Sequence, residues 1–168
     1  MWSPDRRALL RAGLVGGAAV ALSACGFKPA LKAGSEQRGL RGAVALSVPE
    51  GRLGFALREA LESRLGRPGP APDYLLTADL VMTDSGLAIT PDSSITRYVI
   101  TGTSRWALTG PAGFRPIEGV SEGMTAYSAT ASLFATRQAR RDSETRVAKE
   151  LGERIWTRIV AELEAREG

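Results

Sequence analysis

Between Val147 and Leu163 the apolar residues fall on a single stripe. Val147, Leu151, Ile155 and Ile159 recur at every fourth position, Ala148, Val160 and Leu163 lie beside them, and Arg, Glu and Lys fill the other side. A helix with one apolar stripe must lie on a surface that buries it. Earlier in the chain Leu53, Leu57, Ala60, Leu61 and Leu65 make the same demand, with Arg58, Glu59, Glu62 and Arg64 on the polar side. Two one-sided helices call for one sheet face to cover. Gly152 interrupts the longer stripe at a cost of about 1 kcal/mol against alanine, which points to a close neighbour there.

Period-two runs supply the sheet. Val44, Leu46 and Val48 form a short strand that Pro49-Glu50-Gly51 ends, and the stiff segment Gly66 to Pro72 offers neither helix nor strand. Leu76, Ala78, Leu80 and Met82 share a face, with Thr77, Asp79 and Thr83 opposite; at Gly86 the alternation slips, as a bulge would cause. After the turn Thr90 to Ser94, Tyr98, Ile100, Trp106 and Leu108 face one way and Arg97, Thr101, Thr103 and Arg105 the other. Beyond a turn at Thr109 to Gly113, Phe114, Val120, Met124 and Ala126 carry the apolar alternation of a last strand, which Pro116 and three glycines mark as an edge. The order β-α-β-β-β-α predicts an α+β two-layer sandwich: a four-stranded, mainly antiparallel sheet covered on one face by two helices.

The N-terminus reads as an export signal. Arg6, Arg7 and Arg11 precede the uncharged run Ala12 to Leu22, then small residues, then Cys25. Eleven apolar residues fall short of the roughly 20 that span a bilayer as a helix. Leu22-Ser23-Ala24-Cys25 resembles the bacterial lipobox, whose cysteine thiol is acylated and becomes the mature N-terminus; Gly26 in the next position suits sorting to the outer membrane. Residues 1–24 are therefore expected to be a lipoprotein signal peptide, 25–42 a lipidated tether, and 43–168 one domain.

Composition excludes much chemistry. The chain contains no histidine and one cysteine, which removes His-dependent triads, imidazole metal sites and disulfides. Lys28, Lys32 and Lys149 are the only lysines, and no phosphate-binding glycine loop follows a strand. The formal net charge is +4, half of it within the signal, so no concentrated nucleic-acid footprint exists. No catalytic residue, cofactor or metal is expected.

With these residues in view, "CGFKPAL" (Cys25 to Leu31), "ITRYVITGTSRWAL" (Ile95 to Leu108) and the closing segment Tyr127 to Leu163 resemble the LptE family of lipopolysaccharide-assembly lipoproteins. The resemblance implies a non-catalytic, lipid-anchored subunit of the outer membrane, facing the periplasm. It would plug the lumen of the β-barrel LptD, assist that barrel's assembly and help pass lipopolysaccharide to the outer leaflet. It places Arg140 at a basic position that contacts lipopolysaccharide. Arg137 and Arg141 cluster with Arg140 near the head of the closing helix, where a helix N-terminus already favours anions. Arg97 and Arg105, on the outer side of the central strand, are further candidates; a second basic position of the family falls near Pro91 here. Two other readings remain open: a lipid-anchored periplasmic adaptor without lipopolysaccharide binding, and a hydrolase using paired carboxylates.

Overall fold

The computed structural model describes residues 39–89 and 95–167. Along the chain run β1 (Val44–Ser47), α1 (Arg52–Leu65), β2 (Tyr74–Ala78), β3 (Val81–Ile89), β4 (Ile95–Thr109), β5 (Ile117–Ser128) and α2 (Leu133–Glu167). β1 pairs parallel to β2, with α1 as the crossover between them. Every other pairing is antiparallel. β2 and β3 follow one another along one side of β4, and β5 takes the other side.

The expected α+β architecture is present, and its four strands become five at a single point. The Asp79 N–H donates to the Arg105 carbonyl at 2.9 Å. The Arg105 N–H donates to the Asp79 carboxylate at 2.5 Å, while the Asp79 carbonyl accepts from Ser104 Oγ at 2.6 Å. Side-chain bonding thus interrupts the ladder between β2 and β3. The register continues across the gap, from Ala78 opposite Trp106 to Val81 opposite Thr103. The pairing slips between Gly86 and Ala88, where the sequence alternation breaks.

Both helices lie on one sheet face. Leu57, Leu61 and Leu65 of α1 and Val147, Leu151, Ile155, Ile159 and Leu163 of α2 are fully buried against Leu76, Ile100, Trp106 and Leu108. The helices meet closely at Gly152: a Cβ built there would stand 2.7 Å from the Ala60 Cβ. That contact accounts for a glycine inside a long helix. α2 lies equally close to β4, because a Cβ at Gly102 would approach Val147 Cγ1 to 2.4 Å. Exposed ion pairs Arg64–Glu153 and Lys149–Glu59 tie the two helices at the surface, where each contributes little.

Two expectations are corrected. The fold begins before residue 43: Leu40 is 1% exposed within the core, and the Gly42 N–H donates to the Leu65 carbonyl at 2.7 Å. The last strand also faces the opposite way from its apolar alternation. Ile117, Ser121 and Tyr127 are buried, while Val120 and Met124 stand 48% and 68% exposed on the uncovered face. Glycines occupy inner positions because neighbours press on them. A Cβ at Gly119 would meet the Trp106 ring at 2.7 Å, and the Trp106 indole N–H donates to Ser121 Oγ at 3.0 Å. Phe114 precedes β5 and packs edge-on against Tyr74, with ring centroids 5.2 Å apart.

Candidate functional site

α2 begins at Leu133, where Ser132 Oγ accepts from the Ala135 N–H at 3.3 Å. Its 35 residues span about 52 Å at 1.5 Å per residue. The buried stripe starts only near Ser143 and Val147, so the first turns project beyond the core. Arg137 therefore stands in the second turn, and Arg140 and Arg141 follow it. All three lie past the first turn, within which a helix dipole acts strongly. The helix dipole therefore adds little at these three arginines.

Arg140 is held by two carboxylates. Its Nε lies 3.2 Å from Asp84 Oδ2 and 3.1 Å from Glu144 Oε1. Asp84 projects from the helix-side face of β3, opposite Ile100, and also accepts a hydrogen bond from the Tyr127 hydroxyl at 2.9 Å. The Tyr127 ring stacks on Tyr98 with centroids 5.2 Å apart. Glu144 pairs in addition with Arg52, which donates to the Arg141 carbonyl at 2.9 Å and to Thr145 Oγ1 at 2.6 Å. Two guanidiniums and two carboxylates balance, and together they fix the heads of α1 and α2 to the sheet.

Arg137 and Arg141 are placed differently. Both are exposed, and among the described residues neither has a carboxylate partner. Arg137 Nε makes only a long 3.4 Å bond to the Leu133 carbonyl. Beside them, Leu133 and Phe134 are 72% and 79% exposed. Uncommitted cations next to bare apolar side chains suit an amphiphile that carries anionic groups and hydrocarbon.

Arg97 and Arg105 do not join this cluster. Both are exposed on the uncovered sheet face, Arg97 opposite Ser128 and Arg105 opposite Val120. Eight residues of extended chain separate them by about 26 Å, so they cannot grip one small group together. Cys25 lies outside the described residues. Among the described residues no group of acids is placed to hold a metal ion, and no helix is long and apolar enough to cross a membrane.

Sequence reasoning found the arginines and missed what holds them. The Arg140–Glu144 spacing is visible as an i, i+4 pair. Asp84 and Tyr127 reach Arg140 only through strand register. Burial and the Asp84 carboxylate push the Tyr127 hydroxyl up to about 12. An unfolded tyrosine ionises near pH 10, so the stability this group contributes is complete below about pH 10 and is lost between about 10 and 12. Tyr127→Phe should flatten that part of a stability-versus-pH curve measured by urea denaturation. An unchanged slope would show that Tyr127 ionises freely in the folded chain.

The comparisons with known proteins agree on the architecture. The described chain is an open mixed sheet with two helices on one face, and solved bacterial proteins share that fold. Rare lipoprotein B from Shewanella oneidensis aligns with a TM-score of 0.61 at 16% identity, over 74% of this chain and 98% of that one. A candidate lipoprotein from Caulobacter crescentus aligns with a TM-score of 0.58 at 21% identity, over 77% of this chain and 96% of the other. No curated protein matches the chain in sequence. The profile of the LptE family, described as lipopolysaccharide-assembly, matches residues 42–159. That span is well over half of the chain, which therefore belongs to the LptE family.

Proposed function

We propose that this protein is an outer-membrane lipoprotein, acylated at Cys25, that plugs the lumen of the β-barrel LptD and takes part in passing lipopolysaccharide to the outer leaflet. Its role is non-catalytic. Family membership sets the process, and the head of α2 is the observation that carries the lipid contact. There Arg137 and Arg141, which have no carboxylate partner among the described residues, offer planar forks for phosphate, beside the exposed Leu133 and Phe134. Arg140 ranks behind them, because a phosphate reaching its guanidinium has to displace Asp84 or Glu144.

A compact domain with a largely polar exterior suits a barrel interior, which is itself polar. The apolar side chains of both helices are mostly committed to one core, leaving polar surface for the lumen wall. Depleting the protein tests this role. Correctly assembled LptD in the outer membrane should fall while the total synthesised is unchanged. Undiminished barrel assembly after depletion contradicts the plug and favours a periplasmic adaptor.

A further inference from the structure

The Asp79–Arg105 exchange fixes which way the backbone of β4 points. The N–H and C=O of Arg105 turn toward the β2/β3 side. These groups alternate along an antiparallel strand, so those of Ser104 and Trp106 turn toward β5 and meet Ser121 and Gly119. The remaining backbone groups of β5, at Glu118, Val120, Glu122 and Met124, point away from β4. Among the described residues β5 pairs with β4 alone, which leaves them on an open edge of the described sheet.

Proteins commonly blunt such an edge with proline, lysine or a bulge. β5 has none of these along its 12 residues, and its register with β4 runs unbroken. Beside the edge lies an open groove of about 500 Å³, walled by Val120, Ser121 and Glu122 on one side and by Arg154, Thr157 and Arg158 of α2 on the other. Arg154 is bound to Glu150 at 2.6 Å. Arg158 has no carboxylate partner among the described residues.

We propose that the β5 edge receives an extended strand of a partner protein whose α2-facing side chains are acidic. A strand added there hydrogen-bonds to Glu118, Val120, Glu122 and Met124. Alternation then decides the placement of its side chains. Those opposite the bonded residues stand on the uncovered face, and those between them stand opposite Gly119, Ser121 and Gly123, on the side of Arg154 and Arg158. A carboxylate at the intervening position beside Arg158 complements it, while Arg154 is already paired with Glu150. A second copy of this chain supplies none, because the β5 residues it turns to that side include no acid. The inference is independent of the lipopolysaccharide site and of which envelope component carries the strand.

The test uses the full acylated chain in detergent and two synthetic peptides, Thr-Glu-Val-Glu-Thr-Glu-Val-Thr and the same peptide with lysine replacing glutamate. Amide hydrogen exchange of β5 is the readout. The acidic peptide should slow exchange at Val120, Glu122 and Met124 by about tenfold or more, and the lysine peptide should not. Arg158→Glu should reverse the preference. Val120→Pro, which removes an edge N–H at a position where proline is tolerated, should abolish protection while leaving thermal stability near that of the parent. Protection by neither peptide, equal protection by both, or an unaltered preference in Arg158→Glu overturns the proposal. A β5-paired dimer seen by sedimentation without peptide also overturns it.

Discussion

Leu151→Ala is expected to destabilise the domain by about 2–5 kcal/mol, toward the upper end of that range. Leu151 is fully buried, and its side chain lies over two glycines. Its methyls stand 3.1 Å from a Cβ built at Gly102 and 3.7 Å from one built at Gly123. Glycines have no side chain to move into the space that truncation leaves, so the cavity cannot collapse cheaply. Against a total stability of about 5–15 kcal/mol, such a loss should be plain in the urea midpoint. Val81→Ala is the control, since Val81 is 55% exposed on the uncovered face and should change stability by about 0.5 kcal/mol at most. Equal effects from the two would contradict the assignment of inner and outer faces.

The second large effect concerns ligand binding. Arg137→Glu combined with Arg141→Glu removes two uncommitted guanidiniums from the head of α2. If each contributes about 1.5–3 kcal/mol through a charge-assisted contact, lipopolysaccharide affinity should fall by about a hundredfold or more. Thermal stability should hold, because neither side chain has a carboxylate partner among the described residues. Arg67→Glu, in the exposed connection after α1, changes net charge by half as much and serves as a control for general electrostatics. Equal loss per unit of charge in Arg67→Glu would reduce the effect to general electrostatics, and no loss in the double variant would move the site elsewhere. Arg140→Glu is a poorer probe. It sets a third carboxylate against Asp84 and Glu144, so binding and stability should fall together.

Much of this architecture was legible in the order of the residues. The i, i+4 row from Val147 to Ile159 is the buried stripe of α2, and Gly152 marks the helix crossing. The slip at Gly86 appears as a change in pairing. β5 read backwards for a physical reason. Its inner face is made of Gly119, Ser121 and Gly123 because Trp106, Leu151 and Glu150 occupy the space above them, which leaves the larger Val120 and Met124 outside. Periodicity weighs side-chain size and cannot see that a glycine is covered by a neighbour from another strand. The break at Asp79 was hidden for a similar reason, since an aspartate replaces a backbone partner there.

The candidate site was legible as composition and illegible as electrostatics. Three arginines within five residues of one helix are evident from the sequence. Which of them is free depends on Asp84, 56 positions before Arg140 and brought to it by β3. Only the folded register separates Arg140 from Arg137 and Arg141. The exposure of Leu133 and Phe134 also needed the fold, because it follows from α2 outrunning the sheet it covers.

Native purification of the protein from outer membranes, with mass spectrometry of the complex, tests the central claim most directly. The account predicts a mature chain that begins at an acylated Cys25 and is recovered in equal amount with LptD. A chain with an unmodified Cys25, or one recovered from the outer membrane without the barrel, would contradict it.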